Sequence, residues 1–245
     1  MSLFDWLGLG SGKPTNKKIQ KTVKTLTHKY VDAAKRWGAA EQLAEWGTPE
    51  AIYGLLQRFS VSVPSATVDD DEKKAVRDML CSLGQKAVEP ILKFMKDKQE
   101  VNWPLSALER LVSDDEVIGY VLDILEKTEI TFARDPTKKV ELLNRLKEST
   151  DERVPSKIVR FLDDTDDEVV LVALDLLAEA ADEELLEKLW EAYKTDKDRP
   201  RVQLKILELF TQKEWKVKGG DKAEIKRNLP PGFYLTKKGL IKRSP

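Results

Sequence analysis

Five apolar ridges at helical spacing constrain this chain more than anything else in it. Leu55-Leu56-Phe59, Ile91-Leu92-Met95, Val121-Leu122-Leu125, Ile158-Val159-Leu162 and Leu189-Trp190-Tyr193 each place apolar side chains at i, i+1 and i+4. On a helix of 3.6 residues per turn such positions form one stripe. Successive ridges are 36, 30, 37 and 31 residues apart. A helical unit returning every ~30–40 residues is the mark of a stacked repeat array. One such unit cannot bury its apolar stripe alone, so it is covered by the units on either side. The expected fold is all-α: an alpha-solenoid of about six antiparallel helix pairs over residues 16–229. A flexible apolar motif precedes it at 1–15, and a basic cap or tail follows at 230–245, extended or folded as a hairpin.

Composition narrows the chemistry. The chain has one cysteine, Cys81, and one histidine, His28. A lone thiol closes no internal disulfide, which points to a reducing, cytoplasmic setting. Zinc sites need about four Cys, His or carboxylate ligands, and a Ser-His-Asp mechanism would have to run through His28 in a lysine-rich stretch. Catalysis is therefore not expected, nor is a cofactor or metal. Charge is uneven: residues 1–36 carry a net +6, residues 213–245 a net +7, and the middle −14. Basic ends on an acidic body oppose a nucleic-acid groove through the middle. They allow contact with an anionic surface at either end.

Along the chain, Ile19, Val23, Leu26 and Tyr30 begin a helical pattern at Asn16 that runs towards Gly47. Gly47 stops it, Thr48 caps the next helix, and Pro49 sits harmlessly in its first turn, so Pro49–Phe59 completes a pair. A longer loop over 60–70 leads to Asp69-Asp70-Asp71-Glu72, which opens the second pair. That pair breaks at Gly84, and Pro90 is tolerated there only within a first turn. Trp103-Pro104 opens the third pair. Ser113-Asp114-Asp115-Glu116 and Ser149-Thr150-Asp151-Glu152 both spell capping boxes. Thr165–Glu168 precedes Val169–Ala178, a helix apolar almost all round and so expected to be covered on several sides. Asp182 is placed to cap its partner. A sixth first helix spans Pro200 to Phe210, a short one Lys222 to Leu229, and Pro230-Pro231 forbids further helix.

Arg36, Ala39, Ala40, Leu43, Ala44, Gly47, Pro49, Ala51 and Ile52 resemble a HEAT repeat of the short prokaryotic type. Later copies keep the ridge and lose most of the consensus; the resemblance covers roughly residues 31–210. It implies antiparallel helix pairs with the second helix of each pair on a concave side. Proteins of this kind serve as scaffolds and adaptors, and the implied function is non-catalytic protein–protein interaction. The alternative it implies is an enzyme on the same fold, an alkyl-base DNA glycosylase or a bilin lyase. For the glycosylase, Trp190 with Glu191 or Asp123 would have to supply the aromatic and the carboxylate.

On the expected concave row the partner-binding candidates are Gln57, Lys93, Tyr120, Asp123, Lys157 and Arg160. Gly54 and Pro90 share the register and are expected to point away from the core. The mixed sign suits a protein surface better than a phosphate track, and an ordinary solvated face fits as well. In the first segment, Leu3, Phe4, Trp6 and Leu7 could anchor the chain peripherally at the inner membrane face, aided by nearby lysines. They could equally dock in a partner's groove or fold back on the first helix pair. Asp5 interrupts the apolar run, so the segment does not read as a signal peptide. The acidic clusters at 69–72 and 163–168 lack the alternation and glycine of a calcium loop and read as helix caps. Trp46 and Trp190 fall in core register, Trp37 is expected to pack, and Trp103 and Trp215 lie at helix boundaries, packed or exposed as anchors. Cys81 reads as a buried structural thiol.

Overall fold

The structure is a computed structural model that describes residues 14–130, 135–180, 182–195, 198–217 and 222–244. The chain gathers into two compact units, Met1–Ile124 and Leu125–Pro245. The described residues are helical, apart from a two-stranded hairpin at the C-terminal end.

The first unit holds α1 (Asn16–Leu26), α2 (Ala33–Trp46), α3 (Pro49–Leu56), α4 (Ala66–Ser82), α5 (Val88–Asp97), α6 (Asn102–Leu108) and most of α7 (Asp114–Glu126). Packing follows two files: α2 on α4 and α4 on α6, beside α1 on α3 and α3 on α5. Local signals set most boundaries. Gly47 ends α2 at φ +54°, the Thr48 hydroxyl accepts from the Ala51 amide at 3.3 Å, and Pro49 fills the first turn of α3. Pro90 falls within the first turn of α5. At α7, the Ser113 hydroxyl and amide both meet the Glu116 carboxylate, at 2.7 and 3.0 Å, so this capping box forms. The helix begun at Asn16 does not run on to Gly47. It ends at Leu26, and Asp32 starts α2 by accepting from the Ala34 amide at 2.8 Å. A short carboxylate at that position offers the backbone a better partner than a continued helix does.

The second correction concerns Asp69–Glu72. Helix α4 begins earlier, capped by Ser65, so the acidic cluster lies inside the helix and caps nothing. Two arginines account for it. Arg58 is 0% exposed and donates to Glu72 at 2.9 Å, to Asp69 at 2.8 Å and to the Val61 carbonyl at 2.7 Å. Arg36, also buried, grips the same Glu72 with Nε and Nη2, the latter at 2.7 Å, and reaches the Val31 carbonyl. Asp69 further accepts from the Val63 amide and from Lys73. The network joins α2, α4 and the tight 3-10 turn Gln57–Ser60 that extends α3. Arg58 stands three residues after Leu55, a position held in the next three ridges by buried Phe94, Ile124 and Phe161 and in the last by half-buried Ala192. A guanidinium has replaced an aromatic or aliphatic plug, and the fold has built acids around it.

The second unit holds α8 (Thr137–Arg145), α9 (Arg153–Ile158), α10 (Asp167–Leu177), α11 (Glu183–Thr195), α12 (Pro200–Gln212), α13 (Lys222–Asn228), and strands β1 (Phe233–Leu235) and β2 (Ile241–Arg243). Helix α10 packs against α8, α9, α12 and the 3-10 turn Val159–Asp163, and no residue from Val169 to Ala178 is exposed. The cover on several sides expected of so apolar a helix is present. Asp166 caps α10 through the Glu168 and Val169 amides, and Asp182 accepts from the Leu185 amide at 2.8 Å. Ser149–Glu152 forms no capping box. Asp151 takes the Arg153 amide and guanidinium instead, because a carboxylate two residues before the start of α9 outcompetes the serine. The acids at 163–168 each have a distinct partner. Asp164 is buried against buried Lys139 at 2.6 Å, Asp163 meets Lys188 at 3.6 Å, Asp167 meets Arg199 at 2.7 Å, and Glu168 meets Arg201 at 2.7 Å.

The chain end is the hairpin, with Phe233 opposite Arg243, Tyr234 opposite Lys242 and Leu235 opposite Ile241. Its turn needs Gly239 at φ +83°. The hairpin also grips the segment after α12: Lys216 bridges to Leu240, and the Val217 amide donates to the Gly239 carbonyl at 2.9 Å.

Candidate functional site

In the first unit, three helices frame an open cleft of about 490 Å³. Each contributes residues at helical spacing: Asn16, Ile19 and Gln20 from α1, Pro49, Glu50 and Tyr53 from α3, Glu89, Pro90 and Lys93 from α5. Gly54 allows the close approach of α1 to α3, since a Cβ there would lie 2.7 Å from Val23 Cγ2. Tyr53 forms the back of the cleft. Its ring meets Phe94 edge-on, its hydroxyl donates to Asp97 at 3.0 Å, and Lys93 Nζ stands 5.2 Å from its centroid. Burial and the bond to Asp97 push the Tyr53 hydroxyl above its ordinary pKa, so it remains a neutral donor. Most of the lining surface is apolar, and the polar groups set in it carry both signs, suited to hydrogen-bonding a chain more than to reacting with it.

The expected row of partner residues is only partly assembled. Lys93 is exposed in the cleft, and Gln57 is half-buried one turn beyond Tyr53, donating to its carbonyl at 3.4 Å. Gly54 and Pro90 do not point away from the core; both are buried, Gly54 because α1 packs across α3 at that point. On α7, Tyr120 is half-buried and Asp123 exposed. Lys157 pairs with Glu126 at 2.6 Å, and Arg160 donates to the Glu126 and Thr128 carbonyls at 2.8 and 3.1 Å. Glu126 is the last residue of α7, so Arg160 closes that helix terminus. Leu3, Phe4, Trp6 and Leu7 lie outside the described residues.

The second unit contains a site that the repeat register did not mark. Glu183, Leu186, Glu187 and Trp190 stand at i, i+3, i+4 and i+7 of α11, one face of that helix. Facing them are Phe210 from the end of α12 and the segment Glu214-Trp215-Lys216. They enclose about 250 Å³. The Trp190 and Phe210 rings are 5.5 Å apart at 54°, and Phe210 and Trp215 are 5.4 Å apart at 89°. The signal was present as two tryptophans and a glutamate run, but only the chain reversal between α11 and α12 brings them together. Glu191 is not part of the site. It is one residue past Trp190, turned away by about 100°, and pairs with Lys194 on the surface.

The other tryptophans divide differently from expectation in one case. Trp103 stacks on Phe59 at 6.2 Å, and Trp46 is half-buried under Lys18. Trp37 does not pack; it is 44% exposed, because Arg36, Ala39, Ala40 and Leu43 take the inward face of α2. Cys81 is half-buried near the Ala107 carbonyl.

Comparison of the sequence with protein-family models and with curated proteins returned no match. Among the described residues, no helix is long and apolar enough to cross a membrane.

Proposed function

We propose that the chain is a non-catalytic adaptor built as a HEAT-like alpha-solenoid, and that its first unit holds an extended polar segment of a partner protein in the α1–α3–α5 cleft. The carrying observation is the packing of alternate helices in two files, which supports a repeat array and lines the three helices of one file along one cleft. Glu50, Glu89 and Lys93 supply charge of both signs there, while Asn16, Gln20 and Tyr53 supply neutral hydrogen-bonding groups. Such groups give specificity for a polar chain, while the apolar majority of the lining surface gives that chain area to bury.

Cross-linking of the full chain in native lysate, read by mass spectrometry, tests this. Partner peptides are expected to attach at Lys17, Lys18 and Lys93, and to be lost in Glu50→Lys/Glu89→Lys with the helical circular dichroism unchanged. Undiminished attachment in that variant would reject the cleft.

The enzymatic alternative draws on one observation. Trp190 does line a pocket with carboxylates at its mouth, although these are Glu183, Glu187 and Glu214 in place of Glu191 or Asp123. Release of an alkylated base from duplex DNA, abolished by Glu187→Gln, would favour that reading over the adaptor.

A further inference from the structure

We infer that the aromatic pocket of the second unit is a receptor for a lysine side chain presented by a basic segment of a partner protein. Its volume of about 250 Å³ falls below the ~300–1,000 Å³ of sites that enclose a whole small molecule. The guest is then a side chain. The walls decide its chemistry. Trp190, Phe210 and Trp215 all line the void, Phe210 lying 5.5 Å from Trp190 and 5.4 Å from Trp215, so a guest that enters meets aromatic rings, of which Trp190 and Phe210 are themselves buried and Trp190 is stacked on Tyr193. Ring faces carry negative potential and hold cations. A compact ammonium fits such a corner, whereas a planar guanidinium stacks best on a single flat face.

The rim reinforces the sign. Three glutamates and one lysine border the opening. Glu214 is paired with Lys242 and so is largely neutralised. Glu187 is exposed and makes no ion pair or hydrogen bond among the described residues, while its neighbours Lys188 and Glu191 are paired outward. That leaves an exposed carboxylate among the residues that line the pocket.

The backbone at the end of α12 positions the third aromatic wall. Glu214 has φ +53°, the one non-glycine residue with positive φ among those described. A left-handed residue just past the C-cap is a common way to end a helix, and it costs more for a residue with a Cβ than for glycine. Here it turns the chain so that the Trp215 amide reaches the Phe210 carbonyl at 3.1 Å and the indole closes the third wall. The hairpin then pins Lys216 and Val217 from the other side. The C-terminal strands therefore do more than cover the last helix; they hold a wall of the pocket.

Short peptides provide the probe: one central lysine between alanines, the same peptide with trimethyllysine, and the same with norleucine, a neutral isostere. They are titrated into the full chain and read by tryptophan fluorescence and by calorimetry. The lysine and trimethyllysine peptides are expected to bind about ten-fold more tightly than the norleucine peptide, the scale of a cation over aromatic faces. Glu187→Gln, an exposed change that leaves the fold intact, is expected to weaken the lysine peptide several-fold and leave norleucine unmoved. Trp215→Ala is expected to abolish binding of all three. Equal binding of lysine and norleucine, or no effect of Glu187→Gln, overturns the assignment. This surface is separate from the α1–α3–α5 cleft, so Glu50→Lys/Glu89→Lys must leave the peptide titrations unchanged, and either proposal can fail alone.

Discussion

At the residue scale, the strongest commitments are the buried charges. Arg58 occupies a core position, and its burial is tolerable because all of its groups are directed at Glu72, Asp69 and the Val61 carbonyl. Removing one member leaves the others charged and dry, which costs more than the pair itself contributes. Glu72→Ala is expected to destabilise the first unit by about 3–5 kcal/mol in urea unfolding, whereas most surface changes stay within about 0.5 kcal/mol. The pH dependence follows in sign. Burial pushes the Asp69 carboxyl up, but Lys73, Arg58 and the Val63 amide together hold it down, from 3.8 to about 2. Burial likewise raises Glu72, and Arg36 and Arg58 outweigh it, so this carboxyl too is lowered. A lowered folded-state pKa contributes stability above the unfolded value that is lost as pH falls through the folded one. The first unit should keep this contribution above about pH 4 and lose it progressively towards pH 2. An Asp69→Asn variant should show a shallower loss over the same window, measured by circular dichroism. Gly54 gives a second residue-scale test. In an open helix, Gly→Ala gains up to about 1 kcal/mol. At Gly54 the Val23 contact should reverse the sign to a loss of about 1–3 kcal/mol. Adding Val23→Ala should recover part of it, a coupling that a double-mutant cycle reads directly.

At the element scale, caps and breaks were legible where the signal is local. Thr48-Pro49, Ser113–Glu116, Asp166 and Asp182 each start a helix with atoms a few residues away, and the structure forms each as the sequence spells it. Asp69–Glu72 has the same local spelling, yet its partners Arg36 and Arg58 are 36 and 14 residues from Glu72. No window of local sequence contains both ends of that interaction. The segment after α12 belongs to this scale as well. Glycine at position 214 adopts φ +53° without strain, and the exposed Glu214–Lys242 pair contributes little. Glu214→Gly is therefore expected to raise the stability of the second unit by about 1 kcal/mol. A fall in its thermal midpoint would show that the backbone there is held without strain.

At the scale of the whole molecule, charge is the property with consequences. The basic first segment and the apolar motif ahead of it permit a membrane contact, but one short apolar motif gives only marginal affinity without a second signal. Anionic vesicles are expected to pellet the full chain and a version lacking residues 1–12 to the same extent at physiological salt. Preferential recovery of the full chain would establish the anchor and place the protein at a membrane surface.

The apolar ridges decided by themselves that the chain is helical and which face of each helix is buried. Leu55, Ile91, Val121, Ile158 and Leu189 are all buried, and only Leu92 and Val159 among the ridge positions are half-covered. Periodicity suffices there because burial of a stripe depends on spacing within one helix. What covers each stripe is a different matter. That α1 lies over Gly54, that a guanidinium fills the position three beyond Leu55, and that Trp190 and Trp215 close on Phe210 were settled only when the chain folded. Those contacts join residues whose sequence separation carries no periodic signal, and their energies come from close approach and desolvation, which exist only in the assembled structure.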